Sequence, residues 1–348
     1  MFTINQIKQG FSERYPDRFT TIDSHTQGEP TRLLIGGIDE LPGQTIIEKR
    51  DFFASRYDHL RLLLTQEPRG HRDMFAAVVT EPVSPQAQFG LIYMDARRYP
   101  FLCGHATIGA VTTLIETGAI AAENGDTIIT IDTPSGPLQA HTRVAGGRVL
   151  SVGIEMVPSF VMRTDCPVHV PGYGQINIDL VCVGGFFAMV SAATIGIKLI
   201  AENSENLIPL GMAIIDAANR QLQVYHPQRP EVNSVDVTEF HVENPADGEE
   251  KTGRSVVIYG ESHMDRSPCG TGTTAKMTLL HHKGRLGIAD TYRNTGPLGT
   301  FFEGRISHEL TIGEFGGIIA QIRGSATITG LHQFVLDPDD PFQKGFLL

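Results

Sequence analysis

Two cysteines in this chain sit in matched surroundings, and that repetition constrains the fold more than any other feature. Cys103 lies within Phe101 to Ala110 (F-L-C-G-H-A-T-I-G-A), and Cys269 within Asp265 to Ala275 (D-R-S-P-C-G-T-G-T-T-A). Each is followed at once by a glycine, Gly104 or Gly270, and then by a run with helical spacing. Each run meets another glycine fifteen residues beyond its cysteine, Gly118 and Gly284. A glycine there suits the left-handed residue that closes a helix. A chain that writes one cysteine-to-helix unit twice is expected to build one architecture twice.

The rest of the pattern supports duplication. At 348 residues the chain exceeds the usual size of one domain, and 37 glycines with 20 prolines favour many turns and short strands over a helical bundle. Alternating residues predict strands at Phe19 to Gly37, Gln88 to Met94, Thr127 to Ile131, Leu138 to Val144 and Val149 to Met156. The first of these is expected to be interrupted by a polar turn, Ser24 to Pro30. In the second half strands are expected at Gln175 to Val183, Phe186 to Val190, Ser234 to His241, Ser255 to Tyr259, Thr300 to Arg305 and Ile318 to Ile328. Apolar spacing of three and four predicts helices at Ile46 to Gln66 and Leu207 to Gln221. The fold class expected is α+β in two halves, 1–157 plus 331–348 carrying Cys103, and 158–330 carrying Cys269. The run Leu331 to Leu348 is expected to fold back onto the first half, and the cleft between the halves to be where the cysteines meet.

Charge and motifs exclude several functions. A net charge of −11 argues against a nucleic-acid partner. No eighteen-residue apolar run predicts a membrane span, and Met1 to Arg18 lacks the apolar core of a secretory signal. A soluble cytoplasmic protein is expected. Phosphate-binding glycine loops are absent, and the four cysteines, Cys103, Cys166, Cys182 and Cys269, lack metal or disulfide spacing. Cys166 and Cys182 read as small buried hydrophobes, and no metal site is expected.

The first turn of a helix presents unpaired N–H groups and the positive end of the macrodipole. That environment favours a thiolate and an anion such as a carboxylate. Gly104, Gly270 and Gly272 would let a ligand approach the backbone. Two such starts facing each other would grip one carboxylate and leave a sulfur on each face of the adjacent carbon. A thiolate would then remove the α-proton from one face while a thiol protonates the other, with no cofactor required. Two readings of Asp265 stand open, a turn residue or a carboxylate that receives a substrate ammonium. For His105 a carboxylate or backbone contact is favoured over a metal.

Four segments together resemble the proline racemase family: D-R-S-P-C-G-T-G-T at Asp265 to Thr273, C-G-H at Cys103 to His105, E-P-R-G-H at Glu67 to His71, and D-P-x-D-P-F at Asp337 to Phe342. The resemblance implies a diaminopimelate-epimerase-like fold, two pseudo-symmetric halves each wrapping a sheet around a central helix, without cofactor or metal and commonly as a homodimer. It implies an isomerase acting on an imino acid. Cysteine at both positions goes with proline racemases and 4-hydroxyproline 2-epimerases, whereas threonine at the second goes with trans-3-hydroxyproline dehydratases. By position, Gly104, His105, Gly270 and Thr271 would bind the carboxylate, Asp265 and His105 would lie by the ring nitrogen, and Phe75 and Tyr259 would wall the ring. Phe75 favours proline; the Tyr259 hydroxyl leaves 4-hydroxyproline open. A non-catalytic imino-acid-binding protein is the alternative outside enzymes.

Overall fold

A computed structural model describes residues 3–243, 251–260 and 262–347. Met1, Phe2 and Leu348, the extremes of the terminal runs considered above, lie outside them. The chain forms two compact units. One comprises Met1–Thr26, Pro30–Leu150 and Ala326–Leu348; the other comprises Gln27–Glu29 and Ser151–Ser325.

In the first unit the strand Arg18–Thr26 pairs antiparallel with Ala326–Val335, so the two ends of the sequence share one sheet. Beyond that pairing, Glu67 and Phe346 exchange backbone hydrogen bonds of 3.1 and 2.9 Å. Arg69 donates to the Phe342 carbonyl at 3.2 Å and pairs with the Asp340 carboxylate. The E-P-R-G-H and D-P-x-D-P-F segments are therefore partners that fasten the tail. The helix Ile46–Thr65 starts on a Thr45 cap and buries Phe53, Leu60, Leu63 and Leu64 completely. Each of these side chains contributes roughly 1.5–3 kcal/mol on leaving water. Their neighbours include Ala76 and Val78 of the strand Phe75–Thr80 and Ile92 and Met94 of Phe89–Asp95.

The helix Gly104–Glu116 is the centre of this unit. Every residue from His105 to Ile115 is buried, as its nearly charge-free sequence requires, because such a helix has no polar face to offer water. It packs on the strands Arg18–Thr26, Phe75–Thr80 and Ala326–Val335.

The second unit repeats this plan with parallel crossovers. The strands Ser159–Val170, Gly174–Val183 and Gly185–Ser191 form an antiparallel meander. The helix Ser204–Gln221 then carries the chain over to Val235–Glu243, which runs parallel to Gly185–Ser191. The antiparallel partner Lys251–Tyr259 follows, and the helix Gly270–His282 crosses to Thr291–Thr295, parallel to it. The strands Phe301–Ile312 and Phe315–Gly324 complete the sheet. Gly270–His282 is buried from Gly272 to Leu280 and packs against strands of this sheet that include Ser159–Val170, Gly174–Val183 and Phe315–Gly324.

Local expectations differ from the structure in several places. The turn expected at Ser24 to Pro30 shrinks to Gln27-Gly28, because Ser24 to Thr26 and Glu29-Pro30 belong to strands; Gly28, at φ +106°, makes the reversal. Thr3 and Gln6 form a capping box for the helix Ile4–Arg14, which the polar N-terminus did not suggest. The strand Ser159–Val170 was not expected, since two register shifts and Asp165 at φ +54° break its alternation. The run Ile318 to Ile328 is two strands, Phe315–Gly324 and Ala326–Val335, separated at Ser325. Among the described residues no helix is long and apolar enough to cross a membrane.

Candidate active site

Both cysteines occupy the N-cap of a buried thirteen-residue helix, Cys103 before Gly104–Glu116 and Cys269 before Gly270–His282. Both helices end alike. Gly118 at φ +76° donates to the Ile115 carbonyl at 2.9 Å, and Gly284 at φ +67° donates to the His281 carbonyl at 2.9 Å. All four cysteines are thiols, with Cys103 half-buried and the other three buried.

In the first unit the geometry is compact. Cys103 Sγ lies 3.2 Å from His105 Nδ1. The imidazole is buried and meets the Phe75 ring edge-on, with centroids 4.9 Å apart and planes at 75°. Thr26 Oγ1 donates to the His105 carbonyl at 2.7 Å. Thr107 Oγ1 donates to the Cys103 carbonyl at 2.8 Å and lies 2.6 Å from the buried Tyr93 hydroxyl. The structure thus brings Cys103, Gly104, His105 and Phe75 together.

In the second unit Cys269 adopts φ +59° and ψ 120°, a backbone state that costs a non-glycine residue ~1–3 kcal/mol. The surrounding turn holds it there. Cys269 N donates to Ser267 Oγ at 3.1 Å. The fully buried Asn294 donates to the Pro268 carbonyl at 3.2 Å, to Thr273 Oγ1 at 3.0 Å and to Ser255 Oγ at 2.7 Å. The Sγ accepts the Gly272 N–H at 3.3 Å and lies 3.4 Å from Thr271 Oγ1. Burial, and next the Asp265 carboxyl, push the Cys269 thiol well above its ordinary pKa, against the pull of Thr271 and the Gly272 amide.

Asp265 is buried, and its Oδ1 accepts from both Ser267 N and Ser267 Oγ at 2.8 Å, so it does shape the turn. Burial, then Glu29, push its carboxyl up to about 7. Glu29 is a residue that sequence reasoning missed. It is fully buried, with Oε2 accepting from Arg266 N at 2.8 Å and Oε1 3.2 Å from His263 Nε2. Tyr259 is half-buried, its ring centroid 4.5 Å from that of His263. Cys269, Gly270, Thr271, Asp265 and Tyr259 therefore share one neighbourhood with Glu29 and His263.

The glycines after Cys269 divide the work. A Cβ on Gly270 would find nothing nearer than Met156 Cε at 3.6 Å, whereas one on Gly272 would strike Val257 Cγ2 at 2.7 Å. Gly272 is thus small for the core and not for a ligand. Accordingly Gly272→Ala is expected to cost ~1–3 kcal/mol of stability, and Gly270→Ala to leave the melting temperature nearly unchanged. Thermal unfolding of the two variants checks the contrast.

Residues 21–347 match the family model described as proline racemase. The chain belongs to the proline racemase family. Among relatives of this family member, a proline racemase of Clostridioides difficile is 39% identical over 94% of this chain and 97% of its own. A 4-hydroxyproline 2-epimerase of Streptosporangium roseum is 38% identical over 95% of this chain and 98% of its own. The crystal structure of a hydroxyproline epimerase from Agrobacterium vitis with bound trans-4-OH-L-proline matches with a TM-score of 0.84 at 28% identity, covering 96% of each chain. The fold is the α+β, diaminopimelate-epimerase-like one expected from the sequence.

Proposed function

We propose that this family member is an isomerase that inverts the α-carbon of proline with two thiols and no cofactor. The observation that carries the reading is the duplicated seat of the two cysteines, each at the N-cap of the buried central helix of its own unit. The helix starts supply N–H groups and positive potential for the substrate carboxylate, with Gly104, His105, Gly270 and Thr271 as the contributing residues. Neutralising that carboxylate spreads the charge that develops when the α-proton leaves, and this is where most of the catalytic energy must come from.

Cys269, whose burial and Asp265 neighbour hold its proton, is assigned the acid. Cys103, beside His105, is assigned the base. The substrate's ring ammonium is assigned to Asp265, a buried carboxyl that an opposite charge would ionise. Phe75 and Tyr259 are assigned to the ring. Inversion requires the two thiols to meet opposite faces of one carbon; after one turnover the roles exchange, so D-proline is the next substrate. A homodimer in the cytoplasm belongs to the same reading.

A second reading, epimerisation of trans-4-hydroxy-L-proline, is favoured by the half-buried phenol of Tyr259. A substrate ring hydroxyl would offer that phenol a hydrogen bond that plain proline does not. The experiment that decides is a panel of L-proline, trans-4-hydroxy-L-proline and trans-3-hydroxy-L-proline, followed by chiral chromatography. The expected result is D-proline as the main product. Turnover of the 4-hydroxy acid alone would establish the second reading, a cyclic imine from the 3-hydroxy acid would establish dehydration, and binding without turnover would leave a binding protein.

A further inference from the structure

The peptide plane that joins Pro268 to Cys269 is pinned at both ends. Its carbonyl accepts from Asn294 Nδ2 and from Thr273 Oγ1, each at 3.2 Å. Its N–H, on Cys269, donates to Ser267 Oγ at 3.1 Å. The next carbonyl, that of Cys269 itself, accepts the Thr273 N–H at 2.8 Å. The φ of +59° at Cys269 is set between these two planes, so relaxing it means breaking the bonds on one of them. Asn294 and Thr273 are both 0% exposed, and bonds lost there are not replaced by water. A threonine hydroxyl has one hydrogen, which Thr273 spends on the Pro268 carbonyl; the Asn294 N–H at 3.0 Å therefore donates to Thr273 Oγ1. Asn294 thus holds that carbonyl twice, directly and through Thr273.

The first unit carries the same brace in a milder form. Thr107 follows Cys103 by four residues, as Thr273 follows Cys269, and it too is 0% exposed. Its Oγ1 donates to the Cys103 carbonyl at 2.8 Å, so the Tyr93 hydroxyl at 2.6 Å donates to it in turn. Here the brace grips the carbonyl of the cysteine itself, and Cys103 has ordinary extended angles, φ −146° and ψ 115°, with no side-chain cap bond. In the second unit it grips the carbonyl one residue earlier, and the cysteine is strained. The strain has a geometric result: Cys269 Sγ is turned over its own helix start, where it accepts the Gly272 N–H at 3.3 Å. A glycine would adopt this backbone state freely. A cysteine held there against its preference points to a use for the direction of its sulfur.

We propose that Asn294, acting directly and through Thr273, is a positioning residue for the reaction: it holds the Pro268–Cys269 peptide so that the Cys269 sulfur stays over the first turn of its helix. Without that hold the turn relaxes to negative φ and the sulfur leaves the Gly272 amide. The thiol remains, but it no longer points where a proton must be delivered. The consequence for turnover rests on the two-thiol reading; the placement of the sulfur does not.

Two variants test this. Asn294→Ala removes the amide, and Thr273→Val keeps the side chain's shape while removing its hydroxyl. Misplacing a reacting group costs up to ~10²-fold in rate, so kcat for proline is expected to fall by about that factor in Asn294→Ala and ~tenfold in Thr273→Val, with KM changed less than ~threefold. Thr273→Ser, which restores the hydroxyl, is expected to recover most of kcat. In both damaging variants the amide proton of Gly272, freed from Cys269 Sγ, is expected to move upfield in the proton–nitrogen NMR spectrum. Should Asn294→Ala not fold, the near-isosteric Thr273→Val carries the test. An unmoved Gly272 amide, an unchanged kcat in a folded variant, or a loss that Thr273→Ser shares in full overturns the proposal. The amide shift needs no turnover, so a chain that fails to racemise proline but shows it would sink the proposed function and leave this placement of the sulfur standing.

Discussion

Replacing Cys269 with serine is expected to lower kcat for racemisation of L-proline by at least ~10³-fold, and replacing Cys103 to do the same. General acid–base groups contribute ~10²–10⁴-fold, and here either loss stops inversion because one thiol must take a proton while the other gives one. Both variants should fold. Cys103 is half-buried and makes no side-chain cap bond to its helix. Serine at the second position keeps an acceptor for the Gly272 N–H that now reaches Sγ at 3.3 Å. Chiral chromatography of the product, with unfolding curves as control, measures the effect. Inversion within tenfold of the parent in either variant would remove the two-thiol mechanism.

The second large effect is at Asp265. In the free protein its carboxyl, pushed up to about 7 by burial and Glu29, is largely protonated under mildly acidic conditions. A substrate ammonium needs it ionised, so binding must expel a proton below that value. KM for proline is therefore expected to fall ~tenfold per unit as pH rises towards 7 and then to level. Asp265→Asn should raise KM by ~10²-fold, since it leaves a buried cation without its partner, and should flatten the slope. The same shift bears on stability with a defined sign. A native pKa raised above the unfolded value of 3.8 contributes stability below that lower value and loses it as pH rises to about 7. Kinetics across that range, parent against variant, check the prediction; a pH-independent KM in the parent would contradict it.

The paired helices were readable because their signals are local. A cysteine, a glycine beside it, and a left-handed glycine at a fixed offset are each set by neighbouring residues, and the structure places both pairs at matching caps. Glu29 was not readable. It reads as part of a polar turn, and its partners His263 and Arg266 lie more than two hundred residues away, at separations of 234 and 237. The burial of Glu239 and His241 was hidden for another reason. Alternating polar residues in V-D-V-T-E-F-H-V suggest a solvent face, but this strand is covered on both sides. Phe240 faces the core beneath the helix Ser204–Gln221, and Glu239 faces the Cys269 helix. Asn294, which pins the Cys269 turn from a short strand, lacked any pattern from which its three hydrogen bonds could be inferred.

Racemisation in deuterated water tests the central claim most directly. L-Proline is incubated with the protein to low conversion, and both enantiomers are recovered and examined for deuterium at the α-carbon. Two thiols on opposite faces predict that the D-proline formed carries deuterium, donated by an exchanged Cys269 S–D, while the recovered L-proline keeps its α-hydrogen. D-Proline that retains the substrate hydrogen, or deuterium appearing equally in recovered L-proline, would contradict two opposed thiols and point to a single base.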